Sequence, residues 1–484
     1  MTHPLAPLLV PELRWDPGHG FTYLDEMIGD ALELGVGGFL ITGGARDDVV
    51  LLTRELHRRS RDPVLIAADV ECGAGGAFSG LTGLPPLAPL AVLRDRDVFI
   101  RAAKLTAREL RALGVNWALA PVSDLARASA NPWLGARTLG ADAQRAAEWT
   151  VEWIDACQGE GVLACAKHFP GIGRAEEDPN LGTASVDAAA GTLWGDDLLP
   201  FRAAVDTGVA SVMAAGVSFP GLDASGRAAA RSRPVLTDFL RDELGYQGLI
   251  VSDVLGTPGL LQGDDEGIAA IEAVGAGCDL LLAPADLHGV IESLERANDG
   301  GMLSYDALEE SRNRRAFWAD WGSPAPGREP TLDDVLWARQ VADVVVHPVR
   351  GVMPNIGPVV DVLQVDDDAD VRWPRPSRRH FTETLQALGL DARLVDGPTA
   401  EGRGSFVIAI FGGPGAGKGR AGYGEVTRRR VARALADARQ AKRSAVVVLF
   451  GPPALAAEVP EAVNVVCCWS DERAMQEAGA RRLV

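Results

Sequence analysis

The chain has 484 residues, 47% of them hydrophobic and 23% charged, an ordinary balance for a globular protein with room for two or three domains. Its 47 basic and 66 acidic residues leave a net charge of −19, which argues against a nucleic-acid or anionic-membrane surface. Six scattered cysteines form no CxxC pair, no basic region precedes the short apolar run at the N-terminus, and no apolar stretch reaches bilayer length, so the expectation is a cytoplasmic protein with reduced thiols.

From the N-terminus to about residue 320, short apolar segments alternate with helical patterns. Strands are predicted over 7–10, 37–42, 63–68, 115–121, 162–167, 209–214, 249–252 and 279–282. Helical patterns fall between them, as at 97–113 and 142–159. Eight such units over about 300 residues are the signature of a (β/α)8 TIM-type barrel. An open doubly wound sheet would want a Gly-rich turn after its first strand, and residues 9–17 offer none.

The stretch GVLACAKHFPGIG at 161–173 organises this half of the chain. An apolar strand ends in the polar pair Lys167 and His168, then breaks at Pro170, Gly171 and Gly173. In a parallel α/β protein the C-terminal strand ends build the pocket. Other polar residues gather where that rule puts them: Asp69 and Glu71 after the third strand, Asp124 after the fourth, Asp253 after the seventh. Arg137 lies in a long Pro/Gly-containing loop, ANPWLGARTLG.

A Pro/Gly-rich segment, WGSPAPGREP, opens a linker at 321–335 between domains expected at 1–320 and 336–484. Beyond it, strands over 344–347, 359–365, 406–411, 445–450 and 463–468 and helices over 381–388, 425–441 and 472–478 predict a smaller α/β sandwich domain. The acidic run at 366–370 reads as a solvated turn, and the basic run at 428–430 as a solvated helix face.

Asp253 is the sharpest chemical candidate. An aspartate at the mouth of a barrel strand can serve as nucleophile, general base or metal ligand, or merely cap a turn. No HExxH and no His–His–carboxylate set is present, so neither a metal nor another cofactor is expected. No GxSxG elbow is present either. Asp, Arg, Lys and His around a carboxylate suit a small polyhydroxylated ligand such as a sugar, with the carboxylate meeting positive charge at the anomeric carbon.

Four motifs in order, IAADVECG (66–73), NPWLGARTLG (131–140), KHFPG (167–171) and GLIVSD (248–253), resemble glycoside hydrolase family 3, and within it the bacterial β-N-acetylhexosaminidases. The resemblance implies a retaining glycosidase acting on a small-molecule β-glycoside, with Asp253 as the nucleophile. It implies that Asp69, Arg137, Lys167 and His168 hold the sugar hydroxyls. It also exposes departures. Where that branch has His after KHFPG, this chain has Ile172; where it has Asp-Ser-His, with the His as general acid/base, this chain has Asp178-Pro179-Asn180. Ala74 replaces an Arg, and Ala215-Gly216 replaces Ala-His.

Three explanations compete. Another acid serves (Glu176, Glu177, Asp178, or a second-domain carboxylate such as Glu425); the enzyme needs activated leaving groups or a nucleophile other than water; or the chain is a sugar-binding pseudo-enzyme. Asp178 is the first choice for the acid/base. The loop GGPGAGKG at 412–419 fits GxxxxGK, but Gly419 stands where a phosphate loop needs Ser or Thr. The expectation is a loop whose Lys418, Arg420, Tyr423 or Glu425 reaches substrate, with a nucleotide-dependent enzyme as the outlying reading. The sequence carries no signal of oligomeric state.

Overall fold

The computed structural model describes residues 3–127, 131, 133–322, 329–367, 375–398, 404–460 and 464–484. Parts of the linker (323–328), of the acidic run (368–370) and of the ANPWLGARTLG loop (130 and 132), and Val463 at the start of an expected strand, lie outside them. The fold is α/β, and the chain forms two compact units. The first gathers Met1–Thr82, Arg96–Ala128 and Thr138–Pro330; the second gathers Gly83–Asp95, Ser129–Arg137 and Thr331–Val484.

The first unit carries strands β1 (Leu9–Val10), β2 (Glu12–Arg14), β3 (Gly38–Thr42), β4 (Leu65–Ala68), β5 (Trp117–Ala118), β6 (Cys165–Phe169), β7 (Ser211–Ala214), β8 (Leu249–Val254) and β9 (Leu280–Leu282). They pair in parallel in the orders β1-β9-β8-β7-β6 and β2-β3-β4-β5. Pro11, which has no N–H to give a ladder, divides one strand into β1 and β2. Its two parts serve both sheets, since Gly37 N donates to Leu9 O at 3.0 Å and Leu40 N to Pro11 O at 2.9 Å. On the far side, Ala118 N donates to Leu163 O at 2.8 Å and Lys167 N to Pro121 O at 3.2 Å. With residues 9–14 counted as one strand, eight strands follow one another in a circular order, as a (β/α)8 barrel requires.

The strands are buried on both faces, which explains why they read as continuous apolar runs rather than as alternating ones. Val10, Leu65, Trp117, Leu163, Cys165, Val251 and Leu280 belong to one core cluster. The expected fourth strand over 115–121 is shorter in the structure. Asn116 replaces part of the ladder with its side chain, accepting from Ile66 N at 2.7 Å and donating to Val64 O at 3.0 Å.

The second unit has strands β10 (His347–Arg350), β11 (Val359–Asp366), β12 (Asp391–Leu394), β13 (Ser405–Phe411), β14 (Ala445–Phe450) and β15 (Asn464–Cys467) in the order β10-β15-β14-β13-β11-β12. Only β10 runs antiparallel to its neighbour. Side chains alternate along β13: Val407, Ala409 and Phe411 join one core, Ile408 and Ile410 the other. The short edge strand β12 escapes the sequence reading because its sequence, DARL, buries only Ala392. Ala136 lies in the first of these two cores, with Ala88 and Leu93 packed against it. Two excursions from the N-terminal half of the chain thus complete the second unit's interior.

Candidate active site

Lys167 and His168 stand on β6, and both are buried. Lys167, 1% exposed, is not a solvated lysine: its Nζ lies 2.5 Å from Asp69 Oδ1 and 2.7 Å from Glu71 Oε1. Glu71 belongs to the site as much as Asp69 does. The sequence reading noted its position but gave it no role. Asp69 is the more open of the two carboxylates, at 61% side-chain exposure against 12%.

His168 pairs with Asp124. The imidazole Nδ1 lies 2.7 Å from Asp124 Oδ2, and the same oxygen accepts from His168 N at 3.1 Å. A carboxylate can only accept, so the Nδ1 of His168 carries the proton. The other Asp124 oxygen accepts from Ile172 N at 2.8 Å. One fully buried carboxylate therefore sets both the histidine ring and the chain that leaves the strand. The peptide bonds Lys167–His168 and Phe169–Pro170 are cis.

Asp253 sits near the end of β8, 8% exposed. Its Oδ1 accepts from Val254 N at 2.8 Å, while Ser252 Oγ donates to Asp253 O at 2.7 Å and accepts from Leu282 N at 3.0 Å. The strand end is thus tied to β9 on one side, and β7 lies between it and β6 on the other.

Asp178 is buried, and its Oδ1 accepts from both Asn180 N and Asn180 Nδ2 at 2.9 Å. Glu176 and Glu177 are exposed. Pro179 O accepts from Gly259 N at 2.8 Å, which ties this loop to the short helix Pro258–Leu261 that follows Asp253. Gly259 is required there, because a Cβ would lie 2.5 Å from Gly216 O and 2.7 Å from Pro179 Cβ.

Arg137 groups with the second unit. Its guanidinium lies over the Trp133 ring, 5.0 Å from the centroid, and the neighbouring Gly135 packs against Pro414 of the Gly-rich loop.

Residues 25–316 match the glycosyl hydrolase family 3 N terminal domain. The chain belongs to glycosyl hydrolase family 3. It is 33% identical over 344 residues to the β-N-acetylglucosaminidase/β-glucosidase of Cellulomonas fimi, a match that covers 66% of this chain and 61% of that protein. The chain thus spans about three fifths of that relative's length. Among solved structures, a family 3 β-N-acetylglucosaminidase from Paenibacillus sp. str. FPU-7 superimposes with a TM-score of 0.84 at 23% identity, covering 99% of this chain and 95% of that one. A structure described as β-glucoside phosphorylase BglX bound to 2FGlc also gives 0.84, at 19% identity, covering 99% and 91%. These two likenesses show the fold.

The structure places the positions at which the sequence reading noted departures. Ile172 is wholly buried. A Cβ at Gly216 would lie 3.1 Å from the backbone nitrogen of Leu260, a close contact that Leu260 would have to yield to. Ala74 is fully buried at the start of the short helix Ala74–Ala77.

Two expectations for the second unit are corrected. Lys418 does not face outward. Its Nζ lies 2.9 Å from Asp367 Oδ2, donates to Gly413 O at 3.2 Å, and also donates to Gly412 O. Arg420 joins the same carboxylate at 3.0 Å, and Gly424 N donates to it at 2.9 Å. A loop whose lysine is spent on its own carbonyls offers phosphate no cradle, and the helix Glu425–Gln440 begins only at Glu425. Asp367 is buried rather than solvated: burial alone would raise its pKa, but hydrogen bonds from Thr427 and Lys418 and the lysine charge hold it below the usual carboxylate range. Glu425 is 69% exposed and paired with Arg429 on the helix surface.

Proposed function

We propose that the chain is a retaining β-glycosidase that releases a terminal β-linked sugar, N-acetylglucosamine or glucose, through a glycosyl-enzyme on Asp253. The observation that carries this reading is the position of Asp253. It is a nearly buried carboxylate at the end of a parallel strand, in the same family-matched span as the Lys167–Asp69–Glu71 cluster and the His168–Asp124 pair.

In this reading Asp253 attacks the anomeric carbon as the aglycone oxygen leaves, and positive charge developing on the sugar ring is met by the carboxylate. Lys167 offers hydroxyls an ammonium donor; Asp69 offers them an exposed acceptor. His168, its tautomer set by Asp124, presents its other ring nitrogen as an acceptor. The sugar named by the Cellulomonas fimi relative, N-acetylglucosamine or glucose, is the substrate class. Asp178 takes the acid role, since Glu176, Glu177 and Glu425 face solvent. A loop that ends in Asn180, which cannot titrate, gives the leaving group less help than an Asp–His pair. Activated leaving groups should therefore react best.

Asn180 also supports a second reading, a sugar-binding protein with impaired turnover. The experiment that separates them follows aryl β-N-acetylglucosaminides and β-glucosides of graded leaving-group acidity, in water and with added inorganic phosphate as the alternative acceptor. The anomer of the product is read by NMR. Retained product that is lost in Asp253→Asn supports the glycosidase. Sugar binding without product from any glycoside, with either acceptor, supports the impaired protein.

A further inference from the structure

Residues 172–181, which join the strand end to the Asp178–Asn180 pair, are tied down at several points of the first unit. Ile172 N is held by Asp124, as described. Gly173 passes so close to Leu125 that a Cβ there would lie 1.9 Å from its carbonyl oxygen. Pro179 O is held by Gly259 N.

Between these anchors stands one ionic tie. Arg174 Nε donates to Asp197 Oδ2 at 2.7 Å, and Arg174 Nη2 donates to Asp196 Oδ2 at 2.9 Å. Both carboxylates come from the π-helical turn Leu193–Asp197, and Arg127 binds the other oxygen of Asp196. Asp197 is 1% exposed and packs against Gly171. Its second oxygen has no hydrogen-bond partner among the described residues, so Arg174 is its hydrogen-bonded counter-charge, with the Arg127 charge acting in the same direction. Burial pushes the Asp197 carboxyl up, and the hydrogen bond and charge of Arg174 act against that push.

We infer that Arg174 is a positioning residue: through Asp196 and Asp197 it fixes residues 172–181 on the strand ends, and so fixes where Asp178 and Asn180 stand. The inference rests on the reading of this loop as part of a glycosidase site. An isolated buried carboxylate cannot stay ionised without its partner, so loss of Arg174 frees the loop at its middle. The anchors at Ile172 and Pro179 remain. The rest of the unit is untouched, which makes the effect local.

The test compares the full chain with Arg174→Ala and Arg174→Lys by hydrogen exchange and by kinetics on two glycosides. In Arg174→Ala, amides of 172–181 should exchange at least about tenfold faster while peptides of β7 and β8 stay unchanged. Turnover of a glycoside with a poor leaving group should fall about tenfold, while a dinitrophenyl glycoside, which needs no proton, changes by less than about twofold. Arg174→Lys should recover part of both effects. Unchanged exchange in 172–181, or equal losses on both glycosides, would overturn the inference. Should Arg174→Ala not fold, Asp196→Ala removes one arm of the tie and keeps the buried pair; the same local loosening is expected, and its absence counts against the inference. If the wild-type chain turns over neither glycoside, the proposed activity fails, and the exchange measurement alone decides the role of Arg174.

Discussion

His168 and Asp124 are joined twice through one carboxylate oxygen, ring Nδ1 at 2.7 Å and backbone N at 3.1 Å, while the other oxygen takes Ile172 N. Every acceptor position of Asp124 that the structure uses faces an N–H. Asp124→Asn turns one oxygen into a donor, and whichever way the amide lies it meets another donor. The expected cost is about 1–3 kcal/mol of stability for the unsatisfied group. kcat/KM should fall about 10–100-fold as the ring loses its fixed tautomer. Chemical denaturation and steady-state kinetics on an activated glycoside check both.

Lys167 faces both Asp69 and Glu71, and its charge offsets the repulsion between the two carboxylates. Lys167→Met takes the ammonium away from Glu71, which is 12% exposed, and from Asp69. We expect a loss of about 1–3 kcal/mol in stability and of about 10²–10³-fold in kcat/KM. Adding Glu71→Gln removes one of the two carboxylate charges that faced the ammonium. The double variant should regain stability but not activity, because the ammonium that binds hydroxyls is still missing. Recovery of both would assign Lys167 to the fold alone.

Asn180 receives the carboxylate of Asp178 through its amide nitrogen, as an imidazole N–H would. Asn180→His puts a titrating ring in that place. If the proposed assignment of the loop is right, turnover of glycosides with poor leaving groups should rise about 10²-fold or more, with little change for dinitrophenyl glycosides. A rate that does not move for either class would remove this loop from the chemistry.

Glu472 bears on stability rather than on turnover. Burial, reinforced by the charge of Asp471, pushes its carboxyl from the ordinary value of 4.5 up to about 8, against the pull of Arg378. The folded pKa is the higher, so the folded state holds this proton more tightly. The stabilisation it contributes is present in full below 4.5 and is lost as pH rises through about 8. Glu472→Gln should therefore melt with a flatter pH dependence between these limits and be the more stable of the two above pH 8. A wild-type slope of unchanged size in the variant would contradict the assignment.

Much of this was legible in the sequence wherever local pattern decides. The strand ending in Lys167 and His168 shows itself by an apolar run that stops at a polar pair and a Pro/Gly loop. Asp253 shows itself in the same way on β8. What depends on distant packing was not legible. Glu71 lies two residues from Asp69 in a turn, and only the arrival of Lys167 from β6 gives it a role. Lys418 looked free because its partner Asp367 lies far back in the chain, inside an acidic run that reads as solvated. The grouping of Arg137 with the second unit follows from Ala136 entering that core, which nothing in ANPWLGARTLG announces. Residues 172–181 follow a Pro/Gly break in the sequence, yet their ties to Leu125, Asp197 and Gly259 come from three other parts of the chain.

The most direct test of the central claim is intact mass after incubation with a 2-fluoro glucoside and, separately, a 5-fluoro N-acetylglucosaminide, each with an activated leaving group. The account predicts one added sugar on the peptide that contains Asp253, from whichever probe fits, and no adduct in Asp253→Asn. An adduct on another residue, or none from either probe although both sugars raise the melting temperature, would contradict it.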